Sequence, residues 1–551
     1  MKYSNPIKVV YIEGCVNNAE SLLQEKILQI GLIEEDLCEI KGQGSIILDF
    51  GKEVSGGVRI LTFCVNDDKT VRLRFGESVG ETCADLKNEK AAWGEWGGWG
   101  TTNDHSLRDF NVQLQNYSDM TFGQTGFRFL RIDTLSNNSV FKLKAVVAAI
   151  NTDIREEIGR FECDDVLVNE IWNTAAYTLR LCIQNGFLWD GIKRDRLVWI
   201  GDLYPEMRAA YCLFGDIPEV LNSLDFAMQQ SPLPLYINAM PTYSLWWIIC
   251  LYEAYKVSGD KDLYIKYISY VKGIVEEVIA AAIAEDGTVS YSFNFLDWPS
   301  TYLEGETDSD KKNQERLAGV AFLTKIALCK AKEFFSEFGE DCAFCETLIA
   351  RINQKKYDIH IYKQIAALGV WTGMLDENIK KTLLSGHAKG LSTFYSYFIL
   401  TAISQFDKSE EALEVMKQYY GGMLSVGATT FWEDFNLDWL AGSGRIDEMP
   451  REGLKDIHGH FGDYCYKSFR HSLCHGWSAG VIPYLVETVA GIKVERMGGS
   501  QISIKPKLSG LKYIKVNYPT KYGIMVIEHT LQDNGEIKTD ISAPKEIEII
   551  R

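Results

Sequence analysis

The sequence predicts a multidomain protein in which a long helical segment lies between two β-rich segments. Three observations carry this. Short apolar runs bounded by glycine and turn residues fill the chain up to residue 155. Apolar residues then recur at helical spacing up to residue 490. The tail from Gly491 to Arg551 returns to strand-like runs. The expected divisions are therefore 1–155, 156–490 and 491–551. A chain of 551 residues has room for such parts, and 46% hydrophobic with 24% charged residues is ordinary for a globular protein with a sizeable core.

In the first part, Ser45 to Gly51, Gly57 to Phe63, Thr70 to Gly76, Phe127 to Asp133 and Phe141 to Val147 read as strands, and several such strands suggest a sandwich. Asn18 to Leu32 reads as an early helix. In the middle part, helical spacing covers Val166 to Ile183, Leu245 to Tyr255, Leu263 to Ala284, Arg316 to Phe338 and Ser472 to Ala490. Ten to twelve helices of ordinary length fit there, enough for a ring of helical hairpins. In the tail, Gln501 to Pro506, Tyr513 to Tyr518, Gly523 to His529 and Lys545 to Ile550 read as a small sandwich.

Charge and composition narrow the partners. A net charge of -18 argues against nucleic acid and against an anionic membrane surface, both of which attract basic proteins. No run approaches the ~18 apolar residues of a membrane span. The N-terminus lacks the pattern of a secretory signal, and thirteen cysteines fall at no framework spacing. Reduced thiols in a cytoplasm are the expectation. A homo-oligomer is left open.

The densest chemistry lies in Trp189-Asp190-Gly191-Ile192-Lys193-Arg194-Asp195-Arg196-Leu197-Val198-Trp199-Ile200-Gly201-Asp202. A plain surface loop has no need of these tryptophans, and a core segment does not hold so many charges unpaired. The mixture suits a carbohydrate or other polar-ligand pocket. Gly427-Ala428-Thr429-Thr430-Phe431-Trp432-Glu433 is a second such stretch, with Asp434 adjacent. Tyr291 to Pro299 is a third aromatic loop and contains Trp298. Tyr243 and Trp247, one helical turn apart, read equally as helix-packing core. Trp93 to Gly100 is a glycine-rich aromatic loop that either closes over a sugar or packs on the neighbouring part.

His458, His460, Cys465, His471, Cys474 and His475 invite a metal, but the spacings match no zinc pattern, and histidines hydrogen-bonding a polar pocket are the expectation. Cys342 and Cys345 form a lone CxxC inside a helical pattern, where buried thiols are the default. Phosphate-loop, dinucleotide and HExxH motifs are missing, and neither a cofactor nor a metal is implied. Two carboxylates from distant loops, one protonated and one ionised, are what glycoside hydrolysis needs.

On these residues the sequence resembles the α-L-rhamnosidases of glycoside hydrolase family 78. The stretch Asp190 to Asp202 is similar to the family's general-acid segment, Gly427 to Glu433 to its general-base segment, and Ser472 to Gly476 to its late histidine segment. The resemblance implies a central all-α (α/α)6 barrel flanked by an N-terminal β-sandwich and a small C-terminal β-sandwich. It implies Asp190, Arg194, Trp199 and Asp202 lining the sugar subsite, Trp298 stacking on the sugar or shaping its apolar face, His475 bonding a hydroxyl, Tyr243 near the position of the family's usual tryptophan, Trp247 as a further substrate-binding residue, and Glu433 as general base. The family often carries Arg-Asp-Glu-Arg as its acid motif. Here the run is Arg194-Asp195-Arg196, one residue shorter, so Asp195 is the candidate acid, with Asp202 and Asp190 next. The implied activity is inverting exo-hydrolysis of terminal α-L-rhamnose from small glycosides or short oligosaccharides. Two alternatives stay open: an enzyme of different sugar specificity or reaction on the same barrel, and a non-catalytic sugar-binding protein.

Overall fold

The structure, a computed structural model, describes residues 2–85, 108–151, 155–301, 309–462, 466 and 468–551. The Trp93, Trp96 and Trp99 loop and Cys465 lie outside the described residues.

One strand, Cys38–Asn66, organises the N-terminal part. It contains two of the expected strands and runs on through both. Its first stretch pairs with Lys8–Asn17, and it pairs with Ser118–Thr134 and Val140–Ile150 along most of its length. Lys2–Ser4, Thr70–Gly76 and Asp109–Gln113 complete a sheet whose seven described strands are mostly antiparallel neighbours. The strand bends at Gly56 (φ 155), where a Cβ would stand 2.1 Å from the Ala149 carbonyl oxygen. Ile40, Ile46, Leu48, Val58, Ile60, Leu73, Phe75, Phe127, Leu130 and Val146 form one buried cluster. Asn18 to Leu32 holds only a 3-10 turn at Ala19–Leu23. Leu28 and Ile30 pack against Leu61, Ala145 and Val147 while Ile27 and Leu32 remain 82% and 87% exposed, a spacing of two that suits an extended segment and not a helix.

The helical part begins at Val166–Cys182, where Asp165 caps the amides of Leu167 and Val168. The expected helices at Leu245 to Tyr255 and Arg316 to Phe338 lie inside Pro241–Ser258 and Ser309–Phe338. Two expected helices are broken. Leu263 to Ala284 alternates short α and 3-10 turns with a π-helical stretch at Ile274–Ile279. In Ser472 to Ala490, helical structure starts only at Gly476, because the preceding residues are tied to another loop, and it ends in a π-helical stretch at Tyr484–Val489. Such stretches commonly accompany functional sites.

The C-terminal strands form two small sheets. Tyr513–Thr520, Gly523–Leu531 and Ile537–Ser542 stack in order, and Arg160–Cys163 adds to the edge of Tyr513–Thr520. That last strand falls in the span read as helical, so the polypeptide touches the C-terminal sheet before it enters the long helices. Ile537–Ser542 escaped the sequence reading because its side chains are mostly exposed and no apolar run marks it.

The N-terminal sheet is bonded to the helical part at points that converge on one region. The Gly126 amide donates to the Ile192 carbonyl at 2.9 Å, and Arg128, paired with Asp49, donates to the Gly427 carbonyl at 2.9 Å. The Glu53 amide donates to Thr429 Oγ1 at 3.1 Å. All three contacts fall on or beside the two chemically dense stretches.

Candidate active site

Three loops lie edge to edge. The Glu433 amide donates to the Ser472 carbonyl at 3.0 Å and the His475 amide to the Phe431 carbonyl at 3.0 Å. The Gly476 amide donates to the Asp190 carbonyl at 2.7 Å, and Gly191 pairs with His475 as an isolated bridge. At Gly476 a Cβ would stand 2.0 Å from Glu206 Oε1, so any larger residue there would displace that buried carboxyl. Residues more than 230 positions apart in the chain are thus fixed against one another by backbone hydrogen bonds.

The stretch at Asp190 is aimed by its own turns. It follows a two-residue hairpin at Asn185-Gly186 (φ 53 and 82), the pair that favours a tight mirror-image turn. Asp190 Oδ1 accepts from the Leu197 amide at 2.8 Å and closes the loop. Within it, Asp195 and Arg196 are successive non-glycine residues at φ 53 and 56, a conformation that costs energy and recurs at functional sites. The strained turn sends the neighbouring side chains apart. Arg194 goes inward, while Arg196 stacks over Trp189 and donates to the Gln124 carbonyl. The helix Ile200–Phe214 then starts with Asn238 Oδ1 capping the Ile200 amide, and Asp202 sits in its first turn.

Arg194 is the hub. Its guanidinium pairs with Glu433 Oε2 and, at 3.1 Å, with Asp195 Oδ2. Its Nε donates to the Arg470 carbonyl at 2.8 Å, and the cation lies 5.2 Å from the Tyr466 ring centre. Glu433 is also within 3.3 Å of the Ser472 amide and 3.8 Å of His475 Nδ1. His475 Nε2 in turn meets Asp202 Oδ1 at 3.1 Å. Asp190, Arg194, Asp202, Glu433 and His475 are buried, and the Asp195 side chain, at 16% exposure, is the least buried of the set, with its Oδ2 on Arg194 and its charge acting on Asp190, Asp202 and Glu433.

Carboxylates outnumber cations here. Burial pushes Asp190, Asp202 and Glu206 well above the usual carboxylate range, and neighbouring acids push further: Asp195 on Asp190, Glu433 on Asp202, and Asp202 on Glu206. Glu433 is raised by burial too, with Arg194 acting against the rise. His475 is driven well below the usual histidine range by burial and by Arg194, so it is neutral. The cluster therefore places carboxyl groups with unequal surroundings side by side, Glu433 with Arg194 against its rise and Glu206 with only acids and a thiol acting on it.

An arc of rings walls the cluster. Trp199 meets Tyr243 at 6.0 Å, Tyr243 meets Phe295 at 5.9 Å, Phe295 meets Trp298 at 5.1 Å, and Trp298 meets Tyr466 at 5.8 Å. Trp199 and Trp298 are half-buried and so retain free surface. Trp247 is not brought to this arc. It is fully buried between Tyr267 and Tyr270, with its indole N–H donated to the Leu224 carbonyl, which is helix-core packing. Its one-turn spacing from Tyr243 gave no way to tell the two faces of that helix apart, since nearly every residue of it is buried.

Several residues of the site were not anticipated. Lys193 Nζ lies 3.2 Å from both Glu77 Oε2 and Glu81 Oε1 and 2.8 Å from the His471 carbonyl. Glu81 also pairs with Arg108 at 2.7 Å, and the Leu473 amide donates to Glu77 at 2.7 Å. Glu77, Glu81 and His458 offer ligand atoms within 4.8 Å of one another, but the Lys193 ammonium stands among them and supplies the positive charge. The histidines serve as hydrogen-bond partners: His458 with Ser78 Oγ at 2.8 Å, and His471 accepting from the Asp434 amide at 3.0 Å. No local signal joins Lys193 to Glu77, 116 positions earlier. Glu206 did carry one, lying four residues after Asp202 on the same helix face.

Comparison with known proteins adds to this geometry. Residues 156–342 match the family model described as the bacterial alpha-L-rhamnosidase 6 hairpin glycosidase domain. No curated protein sequence matches the chain. The fold is similar to the GH78 family rhamnosidase of Bacillus sp. GL1, at 19% identity and TM-score 0.72 over 96% of this chain and 55% of that one. It is similar to the α-L-rhamnosidase of Dictyoglumus thermophilum, at 17% identity and TM-score 0.69 over 100% of this chain and 58% of that one. It is also similar to a rhamnosidase from Klebsiella oxytoca solved with rhamnose bound, at 18% identity and TM-score 0.67 over 88% and 95%. The chain thus spans little more than half the length of the first two.

Proposed function

We propose that this chain, whose residues 156–342 match the six-hairpin glycosidase domain of bacterial α-L-rhamnosidases, hydrolyses terminal α-L-rhamnosides with inversion at the anomeric carbon. On this reading the long helices form an (α/α)6 barrel between two β-sandwiches, and the three zipped loops sit at one mouth of it. The observation that carries the proposal is the Arg194 guanidinium held between Glu433 and Asp195.

Glu433 is the general base. Arg194 and the Ser472 amide favour its carboxylate form, and it takes a proton from the attacking water. Asp195, the least buried acid of the set, gives its proton to the leaving oxygen. Asp190, Asp202 and His475 hold the sugar hydroxyls, and a neutral carboxyl can both donate and accept there. The half-buried faces of Trp199 and Trp298 take the apolar side of the ring, including its methyl group. The substrate is a small rhamnoside or short oligosaccharide. The twelve described cysteines are free thiols, which supports a reducing compartment such as the cytoplasm.

The ion pair between Arg194 and Asp195 favours a second reading of one step, in which Asp202 gives the proton. Leaving groups separate the two. Loss of the acid spares aryl rhamnosides with very acidic phenols and cripples alkyl ones. Asp195→Asn is expected to show that split, and Asp202→Asn to slow all substrates alike. The reaction itself is tested by release of phenol from an aryl α-L-rhamnoside. The parent is expected to turn over and Glu433→Gln to fall by about 10²–10⁴-fold, the usual weight of a positioned base. Equal rates in the two proteins refute the assignment.

A further inference from the structure

The molecule has a second site whose residues take no part in the chemistry above. A cavity of about 480 Å³ opens between the long helices and the C-terminal strands. This is in the range of roughly 300–1,000 Å³ typical of small-molecule sites. None of Asp190, Arg194, Asp195, Asp202, Glu433 or His475 lines it. It lies further along the helix Ile200–Phe214: Asp202 is in the first turn, and Arg208, which lines the cavity, is about 9 Å on at 1.5 Å per residue.

The lining has two kinds of surface. One wall is aromatic. Trp371, half-buried at the end of Lys363–Trp371, stacks on Phe398 at 5.3 Å and meets Tyr204 at 5.6 Å. The other is polar and internally compensated. Arg208 pairs with Glu253 at 2.6 Å and with Glu487 at 2.6 Å, and Tyr397 donates its hydroxyl to Glu487 at 2.7 Å. Lys330, at 3.4 Å from Glu253, completes the balance. Arg208 and Glu487 keep 19% and 12% side-chain exposure, so solvent-sized groups reach them from the cavity.

We propose that this cavity binds an uncharged saccharide unit as a second, non-catalytic site. The chemistry selects the class. A wholly apolar ligand would bury the Arg208 network without hydrogen bonds, at the cost of desolvating charges. A cation would have to draw Glu487 out of a pair already made, and an anion, though Lys256 and Lys493 also line the cavity, would have to do the same to Arg208 to reach the aromatic wall. A neutral polyol disturbs neither, because its hydroxyls donate to Glu487 and accept from Arg208 while the pair persists. Its carbon-bound face lies on Trp371, as sugars lie on aromatic rings. The site is independent of the reaction proposed above and stands whatever sugar the first site cleaves.

The test is equilibrium titration of the full chain with L-rhamnose, D-glucose and D-glucuronate. It is followed by calorimetry in the parent, in an Asp202→Asn, Glu433→Gln double variant, and in Trp371→Leu. The expected result is a neutral-sugar binding event that survives the double variant and weakens at least tenfold in Trp371→Leu. If Trp371→Leu does not fold, Lys256→Ala at the half-exposed rim and Tyr397→Phe, which removes one hydroxyl, are expected to weaken the same event several-fold. The proposal is overturned if no neutral-sugar binding survives the double variant. It is overturned equally if D-glucuronate binds there more tightly than D-glucose, or if a surviving event is indifferent to all three cavity variants. Aryl rhamnoside turnover, measured separately on the parent, keeps failure here distinct from failure of the first site.

Discussion

Lys193 and Arg194 are adjacent, both buried cations, and their surroundings differ in kind. Lys193 faces Glu77 and Glu81, with Arg108 on the far side of Glu81, and every partner comes from the N-terminal sheet or from the loop carrying His458 and His471. Two cations there meet Glu77, Glu81 and the buried Glu53, and burial raises Glu77 to about 7 and Glu53 well above the usual range. Arg194 faces Glu433 and Asp195, with Asp190, Asp202 and Glu206 behind them, and its one guanidinium favours ionisation of Glu433, Asp190 and Asp202 while Glu206 is acted on by the acids beside it. The difference teaches how one short stretch does two jobs. The cluster at Lys193, directly ion-paired on two acids, ties two parts of the chain together. The other gathers Asp190, Asp202 and Glu206 around a single guanidinium and holds them well above the usual carboxylate range, a perturbation common where protons are moved.

The contrast gives paired expectations. Glu433→Gln should be the most damaging to rate, about 10²–10⁴-fold in kcat, with stability unchanged or raised because one acid leaves a crowded set. Lys193→Met should do the reverse. Leaving Glu77 and Glu81 face to face costs about 3–5 kcal/mol by the usual measure of a broken buried pair, read by urea denaturation at pH 7. A rate loss in Lys193→Met as deep as that of Glu433→Gln, with full stability, would erase the distinction.

A smaller effect sharpens it. Arg194 holds Glu433 down against burial. In Arg194→Gln that restraint is lost, the base ionises only at higher pH, and the acidic limb of the kcat/KM profile should move upward. A limb that stays in place would place the base elsewhere. Changing Lys193 should move the limb less, because its charge is neutralised by the acids it touches.

How much of this was legible in the sequence follows from where the information lies. The strand runs and the helix at Val166–Cys182 were readable because their periodicity is local. The edge strand Arg160–Cys163 was not, because four residues acquire meaning only from their partner 350 positions later. The site stretches were readable because tryptophans and charges crowd into short loops. Their mutual contact was supplied by resemblance and not by pattern, and the structure gives it a cause in the hydrogen bonds among the loops at Asp190, Glu433 and His475. Trp247 shows the limit: on an all-buried helix, spacing carries no sense of direction.

The smallest expected effect concerns Asp297, which neighbours Trp298. Burial raises its carboxyl to about 6, although Ser392 donates to it at 2.5 Å. A carboxyl with a raised folded-state pKa favours folding while protonated, and that contribution is lost as pH rises from the unfolded value of 3.8 towards 6. Asp297→Asn should flatten the stability profile across that window, by at most about 3 kcal/mol. Denaturation midpoints at pH 4 and pH 7 read it, and an unchanged difference between them would show that Asp297 ionises freely.

The central claim is that Glu433 delivers water to the face opposite the leaving group, with Asp195 donating from the other side. Proton NMR of the first sugar released from an aryl α-L-rhamnoside tests it most directly. The β-anomer of L-rhamnose is expected to appear first and then mutarotate. Initial appearance of the α-anomer, or no rhamnose at all, would contradict the account.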